Sequence, residues 1–379
     1  METIVIYRSG LLPSTQTFIT GQASAIRKYL VQYVGLMPVN AGIQAVPPPI
    51  LLSETRGLAT KCREIAYKVF GVAPRFFASV RESAPRLIHA HFLMDGVHAL
   101  PLARRLRIPL IVTLHGHVPT GKGKAITGRS IDGQLYRSQL PALWKYTSRF
   151  ICVSAFIRDK ALSLGFPEEK LLLHYIGIDL NMFKPSQATR DANLVLFVGR
   201  LAEKKGCSYL LDAMKLVQAQ HPQAHLVVVG DGPLKEALVA QAEVSRIKCT
   251  FTGNLPHQAV LTWLSQARVF CAPSVTAADG DAEALGMVFA EAQALGVPVV
   301  SSLHGGIPEV VQHGITGLLA PERDVPRLAE YLLRFLEDDL FWESCSKAGI
   351  LWVRERFDIE VQTAKLEQIY TSCLEKDNK

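Results

Sequence analysis

The sequence predicts an α/β protein made of two parallel-sheet domains. Three observations carry that prediction. Short β-branched runs alternate with helix-sized segments along the whole chain, the pattern of βαβ units whose sheets are covered on both faces. The series restarts after a polar stretch, 184–193, that reads as a linker. With 379 residues, 49% of them hydrophobic, the chain has ample material for two cores.

The strand candidates of the first half are 3–7, 87–90, 110–113 and 149–153. Those of the second half are 194–198, 225–229, 249–252, 269–272 and 297–300. Helix-sized segments such as 207–220 and 234–245 lie between them, and the C-terminal segment 352–374 reads as helical. Ligands of open α/β sheets bind beyond the carboxyl ends of the strands, so the expected site of a two-domain chain is the cleft between the domains.

Composition narrows the function classes. Seven scattered cysteines without a C-x-x-C pair argue for a reducing compartment, and against a disulfide framework or a zinc knuckle. The first residues lack the basic start and apolar stretch of a signal peptide, and no apolar run approaches a membrane span. The expected location is therefore cytoplasmic, with room for a peripheral place at the inner face of the membrane. The net charge of +7 is uneven: residues 1–180 hold 22 Lys/Arg against 10 Asp/Glu, and residues 181–379 hold 19 against 24. A basic half points to an anionic partner: a membrane surface, a lipid-linked phosphate or nucleic acid. Residues 56–86 mix seven basic and two acidic residues with Phe70, Phe76 and Phe77. That mix reads as a membrane-surface segment or as a solvated helical face. The basic residues lack a helix-turn-helix or aromatic-platform pattern, which counts against nucleic acid.

The strand ends carry the chemistry. The first strand ends in Ser9-Gly10, and Thr15 is a candidate helix N-cap. His89 and His91 flank Ala90 and share one strand face, a structural pattern. Asp95-Gly96 opens the following loop and can face an acceptor. The run 110–114 ends at His115-Gly116-His117, which places His115 to donate to a hydroxyl or to stabilise developing charge. In the second half, 194–198 ends in Gly199-Arg200, and Lys205 follows five residues later. Arg200 as a fork and Lys205 as a point charge can neutralise a diphosphate; taken alone, they read as exposed surface charges. The loop holding Asn254 and Leu255 can present its backbone to a base edge. No strand is followed by G-x-G-x-x-G, which weighs against a nicotinamide cofactor.

The segment EALGMVFAEAQALGVPVVSS is the most telling. Glu283 and Glu291 bracket seven residues that include Gly286. A helix starting near Gly286 would offer the free amides of Met287 and Val288 to an anion, with a carboxylate on either side for hydroxyls. By itself the segment fits an ordinary buried αβ connection with two surface acids equally well. Asp279, Asp281 and Glu283 lie within five residues, but their spacing is not that of an EF-hand and no histidine accompanies them. A metal-independent site is expected, since Arg200 and Lys205 already supply positive charge.

In order along the chain, Gly10…Thr15-Gln16-Thr17-Phe18, HAHF, TLHG, YIGIDLNMF, FVGRLAEKKG, GDGP, TGNLPH, the E-x7-E pair and HGGIPEVVQHGITGLL resemble the retaining family-4 glycosyltransferases of the GT-B fold. The match runs to about residue 355, and DGDAEALG and YIGID are similar to the branch that builds bacterial exopolysaccharide and lipopolysaccharide. The resemblance implies two Rossmann-like domains facing each other across a cleft. Residues 1–183 would bind the acceptor, 184–355 the nucleotide sugar, and a C-terminal helix 356–379 would pack back on the first domain. It implies donor contacts from Gly10, Arg200, Lys205, Asn254, Leu255, Gly286, Met287, Val288 and Glu291. His115 and Glu283 would meet the transferred sugar, and Gln16, Asp95 and His117 would face the acceptor. The donor would be a UDP- or GDP-sugar, with no metal or other cofactor. Gln16 stands where this branch often has Glu, and His117-Val118 replaces an aromatic-Asp pair, so acceptor recognition is expected to differ there. Two other classes remain open on sequence: a GT-B epimerase or phosphorylase, and an anionic-ligand or nucleic-acid binding protein. No segment matches the pyridoxal-phosphate lysine site of a phosphorylase.

Overall fold

The structure, a computed structural model, describes residues 1–11, 17–38, 47–55, 57–116, 131–185 and 189–377. The chain divides into two units, Met1–Gly177 with Ile359–Lys379, and Ile178–Asp358.

Unit one contains β1 (Thr3–Leu11), α1 (Thr17–Ser24), β2 (Leu30–Pro38), β3 (Ile50–Leu51), α2 (Leu58–Phe70), α3 (Pro74–Glu82), β4 (Pro85–His91), α4 (Leu93–Leu106), β5 (Leu110–Leu114), α5 (Ile131–Tyr146), β6 (Arg149–Cys152), α6 (Ala155–Ser163) and β7 (Leu171–Leu173). Its seven parallel strands lie in the order β3-β2-β1-β4-β5-β6-β7. The central strands are buried on both faces, which is why they read as continuous apolar runs rather than as alternation. β2 escaped the sequence reading because Gln32 and Gly35 interrupt its run; Gln32 is buried and donates to the carbonyls of Tyr33 and Pro48.

Unit two contains β8 (Leu194–Val198), α7 (Cys207–Gln220), β9 (His225–Val229), α8 (Lys235–Ser245), β10 (Cys249–Gly253), α9 (His257–Gln266), β11 (Val269–Ala272), α10 (Met287–Ala294), β12 (Val299–Ser302), α11 (Ile307–Val310), β13 (Gly317–Ala320), α12 (Val325–Glu337) and α13 (Asp339–Arg356). Its six parallel strands lie in the order β10-β9-β8-β11-β12-β13.

The structure refines three expectations about elements. The terminal segment is two helices, because Phe357 is buried and its carbonyl accepts from Ile178 N at 2.7 Å, which ends α13 at Arg356. The second helix, α14 (Ile359–Asp377), belongs to unit one. There Leu366, Tyr370 and Leu374 join the core of Ile4, Ile6 and Leu87, and Glu367 accepts from the backbone N–H groups of Arg27 and Lys28 at 2.6 Å. The strand read at 297–300 begins two residues later, because Val297 N closes α10 on Ala292 O and Pro298 has no N–H to give. Finally, residues 189–193 of the polar stretch, directly before β8, are anchored. Arg190 donates to the carbonyls of Ser265, Ala267 and Leu295 at 3.2, 3.2 and 2.5 Å, the orphan acceptors at the ends of α9 and α10.

In each sheet the strand order reverses beside the first strand of the unit, between β1 and β4 and between β8 and β11. Successive connections leave for opposite faces there, the position at which open α/β sheets bind ligands.

Candidate functional site

In unit two the loop after β8 and the loop after β11 meet at this switch point. Arg200 is exposed at the strand exit, and a short turn, Glu203–Lys205, leads into α7. This loop is tied to its neighbour. Lys204 pairs with Asp281 at 2.9 Å, and Lys204 O accepts from Val275 N at 2.9 Å. Lys205 Nζ donates to Glu283 Oε2 at 2.5 Å.

Gly286 is the N-cap of α10 at φ +83°, and a Cβ there would lie 2.4 Å from the Phe289 ring, so only glycine fits. Met287 and Val288 are then the first two helical residues, both half-buried, and helix geometry gives their amides no intrahelical acceptor. Glu291 stands on the next turn. The two glutamates differ in electrostatics. Burial works to raise the Glu283 carboxyl, but the charges of Lys205 and Lys204 outweigh it and hold it below the usual range. Among the described residues Glu291 has no such cation, and burial pushes its carboxyl up to about 7.

Glu283 is braced from behind. His304 Nε2 accepts from Glu283 N at 3.1 Å, so His304 carries its proton on Nδ1, which donates to Glu322 Oε1 at 2.6 Å. Glu322 is fixed in turn by Thr276 N at 2.8 Å. Neither His304 nor Glu322 was singled out in sequence, although His304 opens the HGG segment that carried part of the resemblance. Asn254 and Leu255 follow β10, two strands from β8, and among the described residues no hydrogen bond ties them to this cluster. Nor do the described residues hold any group of three His, Cys, Asp or Glu spaced to hold a metal ion.

In unit one the histidines gather on one sheet face. Register pairs His91 with Thr113, and residues two apart share a face, so His89, His91, Thr113 and His115 line up. His91 Nδ1 and His115 Nε2 are 2.8 Å apart with nearly parallel rings, and Phe18 and Phe92 flank His115 with centroids at 4.9 Å. His89 bonds Tyr370 OH at 2.7 Å and Thr113 Oγ1 at 2.6 Å. Burial, reinforced by neighbouring histidines and Arg8, holds His91 and His115 well below the usual imidazole range, and it brings His89 to about 3. The face is therefore neutral, and His115 Nδ1 is buried without a partner among the described residues.

Two expected site residues sit differently. Gly10 lies inside β1, registered with Met37, and not in a loop beyond it. Asp95 is in the first turn of α4, which starts directly after β4 and leaves no loop; its carboxylate binds the Arg8 guanidinium and accepts from Ser9 N at 2.9 Å. A buried carboxylate committed in this way is a bracket for the β1 end and not a free acceptor contact. Arg8, which also donates to His91 O at 2.9 Å, had no sequence signal beyond its place in a strand. Gln16 and His117 lie outside the described residues.

Residues 180–352 match the family model for glycosyl transferases group 1, and residues 51–182 match that for glycosyltransferase family 4. This chain belongs to the family-4 glycosyltransferases. It is 33% identical over 252 residues to the amylovoran biosynthesis glycosyltransferase AmsK of Erwinia amylovora, covering 65% of this chain and 61% of that protein. It is 32% identical over 255 residues to the putative colanic acid biosynthesis glycosyltransferase WcaL of Escherichia coli K12, covering 66% and 61%. The chain thus spans about three fifths of the length of these relatives. Anabaena Alr3699/HepE, solved with UDP and glucose, superposes with a TM-score of 0.78 at 20% identity, covering 98% of this chain and 100% of that one. That likeness establishes the GT-B fold class of two Rossmann-like units.

Proposed function

We propose that this member is a retaining hexosyltransferase that moves a sugar from a UDP- or GDP-sugar to a hydroxyl of a lipid-linked or membrane-proximal glycan in cell-surface polysaccharide synthesis. The observation that carries the reading is the Lys205–Glu283 pair beside the open helix start at Gly286. A cation, free amides and two carboxylates at one switch point match a diphosphate flanked by hydroxyl-rich groups. The relatives named for amylovoran and colanic acid synthesis support the pathway, and the UDP and glucose held by HepE support the donor class.

In this reading Arg200, Lys205 and the amides of Met287 and Val288 take the diphosphate. Glu291 takes the ribose diol, and Glu283 takes hydroxyls of the transferred sugar. Asn254 and Leu255 would meet the base, and Gly10 would leave room for the phosphates. His115, neutral and with a buried nitrogen to spare, is assigned the sugar contact near the reacting carbon. The transition state is a same-face displacement with oxocarbenium character, in which the leaving phosphate helps to deprotonate the acceptor. The protein contributes positioning and electrostatic stabilisation of the leaving group. No carboxylate nucleophile is needed, unlike the paired acids of retaining glycosidases. Arg200 and Lys205 supply the charge that a metal would otherwise bring.

A thermal-shift screen of UDP-, GDP- and ADP-sugars, followed by hydrolysis of the best binder without acceptor, tests the proposal. Lys205→Ala and Glu283→Ala should each cut donor turnover sharply. Unchanged turnover in both would overturn it, and activity lost in EDTA would overturn the metal-independent part.

A further inference from the structure

We propose that the end of unit one formed by the C-termini of α2, α3 and α4 is a docking surface for an anionic phospholipid bilayer. The inference is independent of the donor-site reading, because it concerns other residues. α3 leads straight into the start of β4, and α4 leads straight into the start of β5. Their C-termini therefore lie at the end of the sheet where the strands start, opposite the end that carries His91 and His115.

Arg81, Arg104, Arg105 and Arg107 line an open basin of about 430 Å³ there, and among the described residues no carboxylate lines it. All four arginines are exposed. Arg104 and Arg105 also border a second hollow with Val69, Phe70, Leu100 and Pro101. Beside the arginines, large apolar side chains face out: Phe70 is 73% exposed and Val72 56%. On α2, Leu58, Cys62, Ile65 and Val69 are all exposed at helical spacing, a second apolar stripe on a helix that already buries Tyr67 inward. Of the three phenylalanines in the basic segment, Phe76 and Phe77 pack on Tyr67 at 5.5 and 6.0 Å, so among them only Phe70 is free to dock. Residues 58–107 carry nine Lys/Arg against three Asp/Glu.

Arginines in the last turn of a helix complement its dipole, which explains their presence on α4. That argument does not explain why exposed Phe and Val stand next to them. A free phosphate would be satisfied by the arginines alone. Nucleic acid would call for stacking platforms, and the stripe on α2 is mainly aliphatic. Cations bordering apolar side chains fit the headgroup and acyl boundary of an anionic membrane, which uses both. Among the described residues no helix is long and apolar enough to cross a membrane, so this surface would attach the chain from one side.

The test is co-sedimentation of the full chain with vesicles of phosphatidylcholine alone or mixed with phosphatidylglycerol. Binding is expected only to the mixed vesicles and should weaken with salt. Replacing one basin arginine by serine should lower the partition about fivefold. Phe70→Ser should lower it as well, without changing any charge. Donor hydrolysis should be unchanged in these variants, which separates failure here from failure of the donor-site reading. Equal binding to both vesicle types, full binding by the Arg104→Glu/Arg105→Glu variant, or release by inorganic phosphate at constant ionic strength would overturn the proposal. If that double variant does not fold, Arg81→Ser and Phe70→Ser serve in its place, and full binding by both overturns it equally.

Discussion

Lys205 Nζ and Glu283 Oε2 lie 2.5 Å apart, joining two loops that are 78 residues apart in sequence. Both side chains are largely buried, so each shields the other from an uncompensated charge. Lys205→Met should therefore leave a buried carboxylate without its cation and destabilise unit two by about 3 kcal/mol. The Lys205→Met/Glu283→Gln double variant should recover most of that loss. Denaturant unfolding measures both, and equal stability of the two variants would show the pair to be uncoupled.

Glu322→Gln should act on donor turnover through His304. The histidine must keep Nε2 free to accept from Glu283 N, which requires a pure acceptor at Nδ1. A glutamine sets its amide against either the imidazole proton or Thr276 N–H. We expect kcat/KM for donor hydrolysis to fall roughly tenfold, about 1.4 kcal/mol in the barrier. His304→Gln, whose carbonyl can still accept from Glu283 N, should retain more activity than His304→Ala.

The neutral histidine face predicts acid sensitivity of unit one. His89, His91 and His115 have lowered values in the fold, so below about pH 6.5 the unfolded chain takes up protons that the fold refuses. Stability from these groups is complete above that pH and is lost as pH falls, by about 1.4 kcal/mol per pH unit per histidine. Only near the folded-state values, about 3 for His89, does the loss level off. Unfolding curves between pH 7 and 5 should show this slope, and His89→Gln should make it shallower.

Glu291 titrates in the opposite sense. Its carboxyl is raised to about 7, so between about 4.5 and 7 the fold holds a proton that the unfolded chain has lost, and its contribution to stability falls as pH rises through that window. Ribose hydroxyls donating to the carboxylate would favour the ionised form. Donor binding near pH 6.5 should therefore release protons, seen by calorimetry in buffers of different ionisation enthalpy. Glu291→Gln should abolish the release, and proton uptake by the unaltered protein would contradict the assigned ribose contact.

Much of this protein was legible along the chain. The alternation of β-branched runs and helical segments is a local signal with its own period, so it named most strands and the start of α10 at Gly286. The spacing of Glu283 and Glu291 likewise placed them on either side of that helix start. What the sequence could not determine is which distant groups meet. Only strand order brings Lys205 against Glu283 and aligns three histidines on one face, because neighbours in a parallel sheet are set by crossovers and not by adjacency. Asp95 read as a free loop acid until the end of β1 brought Arg8 onto it. The three phenylalanines of the basic segment were equivalent in sequence, and packing on Tyr67 buried two and left Phe70 outside. Period and propensity act within a few residues, whereas burial and charge compensation depend on partners that only the closed fold supplies.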